Sequence, residues 1–171
     1  MTPIALSFRY TKEDVVRAMR AHYSSVLRPR LDGTLAILLL AVGIYCLHSD
    51  LRSFGLFSFC ASAVLILILT VAFALNPYLA FRQQPKYRDD YLLTFSENGI
   101  HFQTAHVDSQ LEWSLYSHAL VNTHSYLLYY GSRTFTIVPK RVFQNQEQRV
   151  AFDNLLSKNV ARILENRRQP A

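Results

Sequence analysis

Hydrophobic and polar positions follow three different patterns along this chain. From Pro3 to Tyr10 they alternate: Ile4, Leu6, Phe8 and Tyr10 fall on one face, Ala5, Ser7 and Arg9 on the other. That is the period of a half-buried strand. No partner strand lies nearby in sequence, and a lone strand must find a sheet edge. It is therefore predicted to join strands formed by the C-terminal region. "TKED" comes next, with Thr11 as N-cap and Asp14 three residues on, a capping-box pattern. Val15, Met19, His22, Tyr23 and Val26 then recur at helical spacing, flanked by Arg17 and Arg20. A basic amphipathic helix of this kind suits the interface plane of a membrane, or else lays its apolar stripe on a soluble domain.

The second pattern is a continuous apolar block between Leu31 and Phe81. Residues 33–49, 17 in all, hold no Asp, Glu, Lys or Arg, and neither do the 29 residues 53–81. As helices, the first covers about 25 Å and the second more than the thickness of a bilayer core. The link "HSDLRS" is so short that the two must run antiparallel, as a hairpin with both chain ends on one side. Asn76-Pro77 is the expected end of the second helix, because proline disfavours helix in the residue before it. The rival reading, a buried hairpin in a soluble protein, requires a small domain to cover 29 uncharged residues.

The third pattern runs from Tyr87 onward. "YLLTFS" alternates, "ENG" turns and "IHFQTA" returns, with Asn98-Gly99 as the hairpin signal. "SQLEW" is a further strand, "SLYSH" a turn, and "ALVNT" and "YLLYY" are strands joined by His124-Ser125. After "GSR", the strand "TFTIVP" ends at a residue with no N–H to donate. Within "YLLYY", Tyr126, Leu128 and Tyr130 fall on one face and Leu127 and Tyr129 on the other, so one set should be core and the other exposed. The tail from Gln144 reads as one helix with Phe152, Leu155, Leu156, Val160 and Ile163 as its apolar stripe. The expected class is α+β: a two-helix transmembrane hairpin plus an antiparallel β-sheet or partial barrel capped by a C-terminal helix. The divisions are 1–30, a strand and amphipathic helix; 31–81, the hairpin; and 82–171, the C-terminal domain.

Charge sharpens this picture. Of 18 Lys and Arg, six lie in residues 1–32 against three acids, one lies between the spans, and eleven lie from Arg82 onward against eight acids. The excess beside the apolar block favours a cytoplasmic location for both termini. The C-terminal region is too nearly balanced for a nucleic-acid footprint. No cleavable signal peptide is expected, because the first apolar run begins behind a charged leader. Cys46 and Cys60 read as inert buried thiols. The six histidines, His101 and His106 among them, match no metal-ligand spacing. Asp108 and Glu112 as a possible shared-face pair are weak grounds for acid/base chemistry. No catalytic, cofactor or metal site is indicated.

The remaining candidates are surface contacts. Lys140 and Arg141 follow Pro139 at the strand end, either as solvated terminators or as a cationic rim for lipid phosphates or an acidic partner. Together with Arg17 and Arg20 they are the candidate lipid or partner contacts. Trp113 reads as a core anchor, or alternatively as an aromatic for a membrane interface or ligand. Small residues at Gly33, Ala36, Ala41 and Gly43 on the first span, and Ala61, Ala63 and Ala72 on the second, would allow close helix approach.

The leader "FRYTKEDVVRAMRAHY", two apolar spans, "EWSLYSHALVNTHSYLLYYGSRTFTIVPKRVF" and "QRVAFDNLLS" occur in an order that resembles the YcxB-like family of bacterial membrane proteins. The resemblance implies a bacterial inner-membrane location and a C-terminal domain similar to pleckstrin-homology-like folds. It supplies no catalytic residue. The expected function is a membrane-anchored, non-enzymatic module that binds a protein partner or an anionic phospholipid headgroup, with no cofactor. The alternatives are an accessory subunit that docks through its hairpin and a membrane enzyme with an unrecognised site.

Overall fold

The computed structural model describes residues 3–166. They form two compact units: the described residues up to Ala21 together with those from Phe81 onward, and a second unit, His22–Ala80.

In chain order, the leader is strand β1 (Ile4–Arg9) followed by helix α1 (Lys12–Val26). Alternation places Ile4, Leu6 and Phe8 inward, as the period-two pattern predicts. The capping box also forms. The Thr11 N–H donates to Asp14 Oδ2 at 2.9 Å, and the Asp14 N–H donates to Thr11 Oγ1 at 3.2 Å. The buried face of α1 is Val15, Ala18 and Ala21. The predicted stripe shares only Val15 with it, and Val26 is 67% exposed. Two of the three buried residues are alanines.

The second unit is a helical hairpin. α2 (Pro29–Leu47) and α3 (Arg52–Thr70) are antiparallel, as the short link requires: Gly43 lies against Phe59 and Gly55 against Leu47. The glycines are needed for that approach. A Cβ on Gly43 would sit 2.9 Å from Phe59 N, and one on Gly55 would sit 2.8 Å from Leu47 N. Farther along, the buried Ser62 hydroxyl donates to the Ala36 carbonyl at 2.8 Å. Asn76-Pro77 does not end the second helix. A five-residue π turn, Val71–Leu75, leads into α4 (Asn76–Gln83), so helix runs from Arg52 to Gln83. Pro77 lacks an N–H and crowds the carbonyl one turn back. The wider turn accommodates it, with the Asn76 N–H reaching back five residues to Val71 O. Cys46 is buried in the hairpin, whereas Cys60, expected to be buried, is exposed.

The remaining strands build two sheets. β2 (Asp90–Ser96), β3 (Gly99–Gln103) and β4 (Asp108–Leu111) extend β1 into a sheet ordered β1-β2-β3-β4, with Ile4 opposite Phe95 and Arg9 opposite Asp90. The lone leader strand thus finds its partner 81 to 91 residues away. At the β2–β3 turn Gly99 takes φ +146°, and a Cβ there would also strike Leu111 O. β5 (His118–Asn122), β6 (Ser125–Tyr129) and β7 (Phe135–Pro139) begin the second sheet. Helix α5 (Gln146–Asn159) follows, capped by Asn145, whose side chain accepts from the Gln148 N–H. The tail helix is shorter than predicted. Val160 is extended, and residues Ile163–Asn166 form β8, parallel to β5, giving the order β7-β6-β5-β8. The free edge of β5 pairs with Ile163–Asn166, and Ile163 leaves the helical stripe for an exposed position on the new edge strand.

The architecture is α+β, in two sheets, neither of them closed, where a single sheet or partial barrel was expected. α5 serves both. The Phe152 ring lies 4.8 Å from Phe95 of the first sheet and 4.9 Å from Tyr126 of the second. β6 shows no core and exposed sets: Ser125 to Tyr129 are all buried, and only Tyr130, just past the strand, is exposed. A central strand covered on both faces loses the period-two contrast. Trp113 sits in a 3₁₀ turn (Trp113–Leu115) rather than a strand. It is buried as a core anchor, its indole N–H donating to Ser96 O at 2.8 Å.

Candidate functional site

The end of β7 organises the site. Pro139 is the last residue of an edge strand, opposite Ser125, where its missing N–H costs no ladder bond. The Lys140 N–H then donates to His124 O at 2.8 Å, and Lys140–Val142 turn as a 3₁₀ helix. This turn sends two adjacent cations to different places.

Arg141 meets the leader. Its Nε lies 3.1 Å from Asp14 Oδ1, its Nη2 lies 2.6 Å from Asp14 Oδ2, and Nη2 also donates to Arg9 O at 2.8 Å. This is a forked, charge-assisted pair. The Asp14 side chain is 11% exposed and that of Arg141 48%. Burial alone would raise the Asp14 carboxyl. The hydrogen bonds from Arg141 and Thr11 outweigh it and hold the group below its ordinary value. Arg141 is raised correspondingly by its bond to Asp14.

Lys140 instead lines a cleft of about 650 Å³ between the β5–β6 end of the second sheet and α5, together with Asn122, Tyr126, Arg149, Asp153 and Ser157. Its ammonium sits over the Tyr126 ring, 4.9 Å from the centroid. The Tyr126 hydroxyl donates to Asp153 Oδ1 at 2.6 Å, which fixes the ring beneath the lysine. Burial, and then the Asp153 bond, push the Tyr126 phenol well up. Burial, and then the charge of Arg149, lower the Lys140 ammonium. Arg149 Nε is buried and has no hydrogen-bond partner among the described residues. The cleft thus holds two cations, two carboxylates from Asp153 and Glu165, and an apolar part formed by Val121, Leu156 and Ile163.

The four predicted contacts do not converge. Arg17 pairs with Glu13 one turn earlier at 3.1 Å, both well exposed, and Arg20 is exposed one turn farther along α1. Arg149, Asp153 and Tyr126 were not singled out as site residues. The available signal was the i,i+4 spacing of Arg149 and Asp153, which puts both on one face of α5. Elsewhere, His101 Nε2 lies 2.6 Å from Asp108 Oδ1 across the β3–β4 pair. No group of three or more His, Cys, Asp or Glu side chains able to hold a metal occurs among the described residues.

Two four-stranded sheets, both touched by α5 through Phe152 and joined in sequence to a long apolar hairpin, define an α+β chain with two helices apolar enough to cross a membrane. Residues 95–156 match the family model described as YcxB-like protein, so the resemblance read from the sequence holds over that segment. The matched stretch runs from the end of β2 through most of α5 and includes every cleft residue named above except Ser157 and Glu165. No curated protein and no solved structure matches the chain.

Proposed function

We propose that this chain is a membrane-anchored, non-enzymatic binding module. The hairpin crosses the cytoplasmic membrane of a bacterium twice, both termini face the cytoplasm, and a pleckstrin-homology-like domain engages an anionic lipid headgroup or a protein partner. One observation carries the anchor. In both candidate spans, only 17% of the most apolar window is buried. The core helix of a soluble protein hides its apolar side chains. Here Ile37, Leu38, Phe57, Val64 and Leu67 are all more than half exposed. Water penalises that surface at about 25 cal/mol per Å², and a lipid bilayer does not. The antiparallel hairpin brings both flanks to one end, and the cationic flanks favour the cytoplasmic side. The accessory-subunit reading loses part of its support, because Ala36 and Gly43 are used between α2 and α3.

Reporters fused to the two termini test the anchor: both should read cytoplasmic, and opposite sides would refute the hairpin. For the binding role, full-length protein should show domain protection from hydrogen exchange when anionic lipid or a cross-linked protein neighbour is present. A domain indifferent to both would remove it.

A further inference from the structure

We propose that the cleft between the β5–β6 end and α5 is an oxyanion site in which Lys140 and Arg149 together receive a phosphate diester. This sharpens, and rests on, the reading of the chain as a module for an anionic ligand. Two cations share one cleft of about 650 Å³, a size suited to a small ligand or headgroup. The two reach the cleft from different elements and meet around Tyr126. The turn after Pro139 delivers Lys140 to the face of Tyr126, and Asp153 holds that ring by its hydroxyl. Arg149 comes from the first turn of α5, and its buried Nε donates to no described residue. Arg149 Nε is closed to solvent, so an oxyanion in the cleft would meet Arg149 at its terminal Nη groups and Lys140 at its ammonium. Arg and Lys together are the donor pair suited to phosphate, one as a planar fork and the other as a point charge.

The cleft also carries a constraint on the ligand. Asp153 and Glu165 line it as well, which disfavours a polyphosphate by like-charge repulsion. A singly charged diester whose neighbouring hydroxyl or ammonium groups donate toward those carboxylates fits both halves. That chemistry occurs in a phospholipid headgroup and in a free glycerophosphodiester.

The test uses the full chain in dodecyl maltoside micelles, which contain no phosphate, with hydrogen exchange read over residues 121–126 and 140–157. One arm adds soluble glycerophosphoglycerol, and the other mixes phosphatidylglycerol into the micelle. Exchange in these segments should slow in one arm or both. A response to the soluble diester assigns a free ligand, and a response to the lipid alone assigns a headgroup. Lys140→Gln and Arg149→Gln should each weaken the half-saturating concentration about tenfold, the size of one charge-assisted hydrogen bond. Should either variant melt early, Ser157→Asp is the second probe: it adds a negative charge to the cleft while leaving both cations, and it should weaken binding comparably. Protection in neither arm overturns the site. Protection elsewhere in the domain that survives all three substitutions overturns the cleft assignment but leaves the broader binding role intact.

Discussion

Arg141 grips Asp14 through two parallel hydrogen bonds, 127 positions apart in sequence. The same guanidinium holds the Arg9 carbonyl, so one side chain at the end of β7 fastens both the end of β1 and the first turn of α1. A second tie runs alongside: the buried Tyr10 hydroxyl donates to Ile137 O at 2.6 Å. The leader is therefore an integral part of the domain.

Removing the clamp should destabilise the domain without unfolding it. Arg141→Gln and Asp14→Asn are each expected to cost about 1–2 kcal/mol, the range for a charge-assisted bond after allowance for the exposed side of Arg141. The double variant should cost little more than either alone. Trp113 is the sole tryptophan and is buried in the domain, so its fluorescence during thermal unfolding reports the domain. Strictly additive losses would show that the pair is not coupled.

Acid should release the same clamp. Asp14 titrates below its ordinary value in the folded chain. Its contribution is complete above the unfolded-state value of about 3.9 and disappears as the pH falls through the lower folded value. Arg141→Gln should therefore flatten the acid limb of a plot of melting temperature against pH below about pH 4. An unchanged acid limb would place the sensitivity elsewhere.

His118 gives a separate, smaller pH effect. Burial, and then the Arg162 charge, lower its proton affinity, and the ring stacks on Tyr129 with centroids 4.2 Å apart. Stability from the neutral ring is present above the unfolded value, near pH 6.5, and falls away as the pH drops toward the lower folded value. His118→Phe should keep the stack and remove the slope just below that pH in the same melting series. A slope that persists would exclude this ring as its source.

Gly43 and Gly55 set the separation of α2 and α3. Gly55→Val places atoms against the backbone of Leu47 and should cost about 1–3 kcal/mol or splay the helices. A Cβ on Gly33 meets nothing within 4 Å, so Gly33→Ala is the control and should be neutral to slightly stabilising. Cysteine cross-linking between positions 36 and 62, in a chain lacking Cys46 and Cys60, would follow the separation. Equal cross-linking yields in the two variants would mean that the close approach of α2 and α3 is not maintained.

Phe152 joins both sheets through one ring, so Phe152→Ala should cost about 3–5 kcal/mol and broaden the Trp113 transition. A loss below about 1 kcal/mol would mean that the sheets are held mainly by other contacts.

The local signals were legible in sequence because their causes are local. Alternation from Ile4 to Phe8, the Thr11–Asp14 capping box, the uncharged runs 33–49 and 53–81, and the Asn98-Gly99 turn all rest on interactions within a few residues. They determined the strand, the helix start, the hairpin and the first β turn. Tertiary structure alone decided the rest. The open edge of β5 drew Ile163–Asn166 out of a helical pattern, and burial of both faces of β6 erased its alternation. Adjacent Lys140 and Arg141 look equivalent in sequence. One is bound to Asp14, and the other lies above Tyr126 in a cleft with Arg149. The environment of a charge depends on which distant groups the fold brings within a few ångströms, and no neighbouring residue in the chain encodes that.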